Sequence, residues 1–217
     1  FLTYAVRPIS NIMILPDALY IPGKISDEIR VVACRGEYEP ASFVVQAFSD
    51  ITALKVEATD LKGKEGIISS GNIDVKVVKC WYQSGTAWYH IKQDRSRKVL
   101  VPELLLNDDS LIKVDTEKEA NYIILTYPEG HSSGQEKYVC VSEPEDLREM
   151  LTNWWQSRWH LIVYNEDFPI KDSPSLLPVN FPNNSNKQFW VTIKVPDDAA
   201  PGIYVCNINF STPKENL

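Results

Sequence analysis

Short apolar or alternating runs, broken by Gly, Pro, Asn and Asp, are the feature that most constrains this fold. In the run 188–195, the residues Phe189, Val191 and Ile193 share one face and Trp190 lies on the other, because strand side chains alternate. Similar runs, rich in Val, Ile, Tyr, Phe and Trp, predict strands over 29–34, 42–48, 54–59, 73–82, 99–106, 111–114, 121–127, 138–142, 188–195 and 203–210. Turns between them favour an all-β, two-sheet antiparallel β-sandwich, immunoglobulin-like or jelly-roll-like, over βαβ units.

One segment has a different pattern, which predicts a single short helix near 144–155. Ser142 and Glu145 have the spacing of a capping box, and Pro144 suits a first helical turn. The apolar residues that follow recur at helical spacing and would pack onto a sheet: Leu147, Met150, Leu151 and Trp154.

Charge and composition exclude several classes of protein. Twenty-two basic residues against 29 acidic ones give a net charge of −7, which argues against nucleic acid as a partner. Hydrophobic residues make up 44% of the chain, too many for a disordered protein. No apolar run approaches the roughly 20 residues of a membrane-spanning helix, so the sequence predicts no membrane span.

The cysteines and histidines do not have the spacing of a metal site. Cys34, Cys80, Cys140 and Cys206 form no CxxC pair. Each follows apolar residues, as a small buried hydrophobe in a strand does, which favours free thiols, although four cysteines leave three disulfide pairings open. His90, His131 and His160 lie far apart in the sequence. The sequence therefore predicts no metal and no cofactor.

Two carboxylate groups could carry chemistry. Glu37 and Glu39 would point to one side of a strand, about 6.6–7 Å apart at the backbone, near the separation of an acid/base pair. Gly36 and Pro40 flank them, however, and mark a solvated corner between strands, which is the favoured interpretation. The sequence thus assigns no catalytic residue.

Three aspartates flank the predicted strand 111–114. Asp108 and Asp109 precede it and Asp115 follows it. Calcium is one interpretation, but the acid density of an EF-hand loop is missing. The order Asn, Asp, Asp, Ser at 107–110 is ordinary turn chemistry, so we favour a turn.

Aromatic side chains gather in two regions and leave two interpretations open. Trp81 and Tyr82 lie close in sequence to Trp88, Tyr89 and His90, and a second group combines Trp154, Trp155, Trp159 and His160. Flat aromatic faces beside polar groups suit stacking on sugar rings. Tryptophans in a β protein more often fill the core or a domain interface, and this second interpretation is favoured.

Several segments resemble one known family. The segments 33–45 (ACRGEYEPASFVV), 77–88 (VVKCWYQSGTAW) and 99–110 (VLVPELLLNDDS), with the closing part from 187 to 204, resemble the N-terminal domain of glycoside hydrolase family 123-like proteins of Bacteroidetes. In that family the β-sandwich precedes a TIM barrel, which is thought to cleave N-acetylgalactosaminides with an Asp–Glu pair and the substrate's acetamido group. The resemblance implies no active-site residue in this chain.

These observations together predict a domain plan. We expect an N-terminal extension over 1–28, a β-sandwich over 29–211 and a linker over 212–217 toward a missing C-terminal domain. The chain opens with Phe1 and shows no signal segment, so we expect that an N-terminal segment has been processed or left out, and that the parent is exported to the periplasm or the cell surface.

The leading functional prediction is a non-catalytic accessory module of an exported glycoside hydrolase. Its partner would be the catalytic TIM barrel of the same polypeptide, with a glycan as a possible ligand. The candidate residues for the surface facing barrel or glycan are Trp81, Tyr82, Trp88, Tyr89, His90, Glu103, Asp108 and Asp109. Two alternatives remain: a free-standing carbohydrate-binding protein that uses the same aromatics, and a hydrolase that would depend on Glu37 and Glu39.

Overall fold

A computed structural model describes residues 1–83, 98–125, 137–142 and 171–213 of the 217-residue chain. Strands are the main regular structure of the described residues, beside two short 3₁₀ turns, which confirms the all-β prediction. Their strands are β1 (Leu2–Val6), β2 (Gly23–Ile25), β3 (Tyr38–Ala47), β4 (Ile51–Ala58), β5 (Leu61–Gly63), β6 (Ile67–Ile68), β7 (Ile73–Gln83), β8 (Val99–Leu106), β9 (Ile112–Asp115), β10 (Ala120–Leu125), β11 (Lys137–Cys140), β12 (Val179–Phe181), β13 (Ser185–Lys194), β14 (Tyr204–Val205) and β15 (Ile208–Ser211). Short 3₁₀ turns cover Ser70–Asn72 and Asp109–Leu111. The predicted helix near 144–155 lies outside the described residues.

The chain divides into two compact units. The first comprises Phe1–Lys79, Pro102–Asp109 and Ser173–Leu217, and the second comprises Cys80–Val101 and Ser110–Asp172. No helix within the described ranges is long and apolar enough to cross a membrane.

A six-stranded antiparallel sheet organises the first unit, in the order β2-β1-β3-β13-β7-β8. Strands β3 and β13 pair along their full length, from Ala47 opposite Ser185 to Tyr38 opposite Lys194. Strand β1 lies between β2 and β3, so the N-terminal residues belong to this sheet. Alternation along β13 directs Phe189 and Val191 to one face of the sheet and Gln188 and Trp190 to the other.

A second sheet, β12-β4-β15, packs on the Phe189 face. Phe189 stacks on Phe43 with ring centroids 5.0 Å apart. The ring centroid of Phe181, in β12, lies 6.4 Å from that of Phe189. The ring centroid of Phe210, in β15, lies 5.9 Å from that of Phe43. This aromatic core between two sheets is the β-sandwich that the sequence predicts.

The opposite face of the six-stranded sheet is partly covered by the chain between β1 and β2. Ile14 and Ile21 are buried against Val6 and Val44. Asn186 of β13 fixes this segment, because its Nδ2 donates to the carbonyl of Ala18 at 2.7 Å and its backbone N–H donates to that of Pro16 at 2.7 Å. Among the described residues, this segment leaves part of the sheet face open.

The predicted strand 29–34 is wrong. These residues are irregular, and Val32 is 92% exposed. Gly36, just after this run, donates its N–H to the carbonyl of Val195, one residue beyond the end of β13, but residues 29–34 themselves pair with none of the described strands. Without a partner strand, an apolar run has no ladder to join.

The predicted strand 203–210 is two strands in the structure. Strand β14 pairs with β5, whereas β15 pairs with β4. Between them, the Asn207 N–H donates to Thr59 Oγ1 at 2.9 Å, and Thr59 N–H donates to the Asn207 carbonyl at 2.9 Å. The chain changes sheets at this point, which no local pattern encodes.

The second unit contains the antiparallel sheet β11-β10-β9. Asn121 is buried in it, and its side chain bonds the backbone of Tyr82 twice: Oδ1 accepts from N–H at 2.9 Å, and Nδ2 donates to the carbonyl at 2.7 Å. A buried amide satisfied in this way holds the end of β7 in place.

Candidate binding groove

A groove lies on the open face of the six-stranded sheet, within the first unit. Gln188 and Trp190 of β13 and Val78 of β7 line its floor. Its volume is about 210 Å³. One wall is the segment after β1 and the other is the edge strand β8; these walls contribute Arg7, Pro8, Ser10, Ile12, Ile14, Pro102, Glu103 and Leu105.

Trp190 presents the aromatic surface of the groove. The residue is half-buried, directly opposite Ser42 on β3 and Lys76 on β7. Its Nε1 donates to Oγ1 of Thr192 at 3.1 Å, two residues along the same face of the strand. This bond fixes the indole while the ring lines the groove.

Gln188 is held by a buried chain of hydrogen bonds. Its Nε2 donates to Oγ of Ser42 at 2.9 Å, and that hydroxyl donates to the carbonyl of Phe189 at 2.8 Å. Ser42 is fully buried, so this chain satisfies a polar group that would otherwise be costly to bury. The amide therefore has a fixed position in the groove floor.

Opposite charges stand on the two walls. Arg7 and Glu103 are both exposed, and Arg7 makes no ion pair within the described ranges. Ile12 and Leu105 add apolar rims that are 51% and 42% exposed. The groove thus combines an aromatic face, an amide and one charge of each sign. Of the predicted glycan- or barrel-facing residues that the structure describes, Glu103 lies here.

Asp109 lies on the other face of the sheet, between two lysines. Its Oδ2 accepts from Nζ of Lys187 at 2.7 Å, and its Oδ1 accepts from Nζ of Lys79 at 3.0 Å. All three side chains are less than a fifth exposed. Burial by itself would raise the pKa of Asp109, but the Lys187 and Lys79 ammonium groups outweigh it and hold the pKa below its usual value. The carboxylate is engaged in holding the fold.

The other predicted surface residues are distributed elsewhere. Asp108 is half-buried beside Asp109. Trp81 and Tyr82 are half-buried at the end of β7, in the second unit. Trp88, Tyr89 and His90 lie outside the described residues, so their placement on a glycan-facing surface stays a prediction.

Of the other carboxylates singled out from sequence, Glu39 lies in strand β3, opposite Ile193 of β13, whereas Glu37 and Asp115 lie at turns. Oε2 of Glu37 accepts from the N–H of Cys34 at 2.7 Å, across a turn in which Gly36 has a φ of 78°. Asp115 accepts from the N–H groups of Lys118 and Glu117; the bond from Lys118 is the main reason why the pKa of Asp115 is lowered. The corner that the sequence predicts at Glu37 is confirmed; the turn at Asp115 was not predicted. In the ranges that the structure describes, no three His, Cys, Asp or Glu residues could together hold a metal ion.

All four cysteines are free thiols in the structure. Cys80 is buried in β7, whereas Cys34 is exposed, so the expectation of a buried strand position is wrong for Cys34. Burial raises the pKa of the Cys206 thiol. Free thiols are the interpretation that the sequence favoured.

Trp190, Gln188 and Arg7 are groove residues that sequence reasoning did not select. The alternation over 188–195 places Gln188 and Trp190 together on one face, and this signal could have found them. Nothing local connects them with Arg7, which lies in the predicted N-terminal extension. Sheet pairing of β1 with β3 and of β3 with β13 brings these residues together.

Comparisons with known proteins give a distant structural match. No protein-family model and no curated protein matches the chain. Among solved structures, a family 123 glycoside hydrolase from Clostridium perfringens, studied for glycolipid glycan hydrolysis, matches 84% of this chain with a TM-score of 0.40 and 16% identity. The chain spans 20% of the length of that enzyme. A likeness at this level does not assign a function.

Proposed function

We propose that this chain is a non-catalytic β-sandwich module of an exported glycoside hydrolase, which packs on the catalytic TIM barrel of the same polypeptide and helps to frame its glycan cleft. The sequence resemblance to the N-terminal domain of family 123-like enzymes supports the parent, which would act on N-acetylgalactosaminides in the periplasm or at the cell surface of a Bacteroidetes species. The confirmed β-sandwich agrees with such a module.

The bonding of the carboxylates is the observation that carries the non-catalytic role. Glu37 and Asp115 accept backbone N–H groups in turns, and Asp109 neutralises two lysines. General acid/base catalysis needs a carboxyl group that can exchange its proton with substrate. These three groups are instead engaged in stabilising the fold.

A hydrolysis assay on the pure chain tests this role. We expect no cleavage of a chromogenic N-acetylgalactosaminide, and the same result for the Glu39→Gln variant. Cleavage by the chain that is lost in Glu39→Gln would contradict the proposal and support a hydrolase that uses the Glu37 and Glu39 pair.

The intact mass of the native gene product tests whether this chain is part of a larger enzyme. A module of a larger enzyme predicts a product well above the 24.7 kDa of this chain, by at least one further domain of roughly 100–150 residues. A native product near 24.7 kDa would remove the barrel and leave the second candidate function, a free-standing carbohydrate-binding protein, which the aromatic and polar groove favours.

The placement of the barrel-facing surface has its own test. In the full-length parent, replacing Trp88 with Ala should lower glycosidase activity without unfolding the module. Unchanged kinetics in Trp88→Ala would contradict this placement. Fractionation of the source cells should recover the parent in the periplasm or on the cell surface, and a cytoplasmic parent would overturn the proposal of export.

A further inference from the structure

The groove around Trp190 was not predicted as a site from the sequence, although it includes the candidate Glu103, and the comparisons do not assign it. We propose that it binds one neutral pyranose ring of a glycan, stacked on the Trp190 indole and held by Gln188, Arg7 and Glu103. The choice of a glycan as ligand rests on the proposed function, whereas the position of the site rests on the geometry of the groove alone.

The first step of the argument concerns the aromatic floor. The carbon-bound hydrogens of a pyranose form a flat apolar patch, which matches the face of an indole. Trp190 is half-buried, and its Nε1 is bonded to Thr192 at 3.1 Å. A ring that is already fixed loses little rotational freedom when a ligand stacks on it.

The second step concerns the polar groups at the edge of that ring. Sugar hydroxyls both donate and accept hydrogen bonds, so a sugar site needs partners of both kinds. Arg7 supplies donors only and Glu103 supplies acceptors only. The Gln188 amide is positioned by Ser42. A few placed polar groups around an apolar floor are typical of small-ligand sites.

The third step concerns charge and size. Arg7 and Glu103 are the two charged residues among the described residues that line the groove, so this lining carries one charge of each sign. A neutral sugar suits such a lining, because its hydroxyls can bond groups of either sign, whereas the carboxylate of a uronic or sialic acid suits only the Arg7 side. The volume of about 210 Å³ is below the roughly 300–1,000 Å³ of pockets for drug-sized ligands, so it suits one ring.

Nuclear magnetic resonance of the 217-residue chain tests the site directly. The indole N–H signal of Trp190 is identified by its loss in the Trp190→Ala variant, and N-acetylgalactosamine and galactose are then titrated to tens of millimolar. We expect the Trp190 signal to shift saturably. Glucuronate, at matched ionic strength, should bind more weakly. An unmoved Trp190 signal overturns the site, and tighter binding of glucuronate overturns the neutral ligand.

Variants separate binding in the groove from binding elsewhere. Trp190→Ala should weaken binding of the sugar roughly tenfold or more, as truncation of a central aromatic anchor does. Tyr20→Ala removes an aromatic ring that is 76% exposed and lies outside the groove, so it should change nothing. Equal losses in both variants would overturn the assignment.

A second pair of variants avoids the packed indole, in case Trp190→Ala does not fold. Arg7→Met removes the donors of an exposed side chain and should weaken binding at least about fivefold, because charged donors make the stronger hydrogen bonds. Lys24→Met removes the same charge from exposed strand β2 and should leave binding unchanged. If Arg7→Met binds the sugar with unaltered affinity, the role of Arg7 in binding is overturned.

Failure of the groove and failure of the proposed function are distinguishable. A chain that binds no sugar although its native product carries a catalytic domain would overturn the groove and leave the accessory module standing. A native product of 24.7 kDa that binds sugar through Trp190 would overturn the accessory module and leave the groove standing.

Discussion

Replacing Asp109 with Asn removes a negative charge that the fold places between two largely buried ammonium groups. The amide keeps the shape of the carboxylate, so the packing around it is retained. It loses charge-assisted bonds to Lys187 at 2.7 Å and to Lys79 at 3.0 Å. Lys79 keeps one partner, the Asp109 carbonyl, at 2.7 Å. The variant therefore isolates the electrostatic contribution of one carboxylate.

The expected cost follows from the burial of the three side chains. Breaking a fully buried ion pair by removing one partner costs about 3–5 kcal/mol. Because Lys79, Lys187 and Asp109 are 16–18% exposed and Lys79 retains a bond, we expect about 2–4 kcal/mol. A domain of this size loses about 2–4 °C in Tm for each kcal/mol, so the Tm of Asp109→Asn should fall by about 4–16 °C.

Urea denaturation followed by tryptophan fluorescence measures this difference in the free energy of unfolding. The matched control is Glu57→Gln. Glu57 pairs with Lys55 at 2.7 Å, but these side chains are 57% and 53% exposed, and such surface pairs contribute only about 0–1 kcal/mol. If Asp109→Asn costs no more than Glu57→Gln, burial does not strengthen this pair and the reasoning is refuted.

The pH dependence of the same difference provides a second check. The pKa of Asp109 is lower in the folded protein than its usual value, so the unfolded chain binds a proton more readily. The stabilisation is complete above the unfolded pKa of about 3.9 and is lost as pH falls through the folded value. The stability gap between wild type and Asp109→Asn should therefore be constant near neutral pH and shrink below about pH 4.

Three further predictions test other parts of the fold. Asn186→Ala should lower the free energy of unfolding by about 1–3 kcal/mol, measured in urea, because the carbonyls of Leu15 and Ala18 lose their donor; an unchanged stability would contradict this anchoring role. Gly36→Ala should cost about 1–2 kcal/mol, since φ is 78° and a Cβ would lie 2.7 Å from Asp197 Oδ1; a neutral variant would exclude the left-handed turn. Exposed Cys34 should react with a thiol reagent before buried Cys80, as peptide mapping would show, and the reverse order would contradict the structure.

The strands of the core were predictable because their side chains alternate or form continuous apolar runs. Strand β8 has the predicted bounds, and β7 differs from its prediction by one residue. The run 29–34 is equally apolar, yet it is not a strand and pairs with none of the strands that the structure describes. Apolar periodicity predicts that a segment can form a strand. Whether it does so depends on a neighbouring strand with which it can pair.

The candidate site illustrates a second limit of sequence reasoning. Glu103, Asp108 and Asp109 were selected together as members of one segment, without a separate reason for any of them. In the structure Glu103 lines the groove, while Asp109 bonds lysines on the opposite face of the sheet. Neighbours in sequence were separated because β8 ends at Leu106 and the chain enters a 3₁₀ turn at Asp109.

The sequence by itself determined that this chain is an all-β protein with a turn at Glu37. Those properties depend on side-chain alternation and on the local chemistry of glycine and acidic residues, which act over a few positions. Tertiary structure alone decided that Arg7 and Trp190 share one groove and that Asp109 neutralises both Lys79 and Lys187. Strand order brings these residues together, and strand order depends on which distant surfaces bury one another.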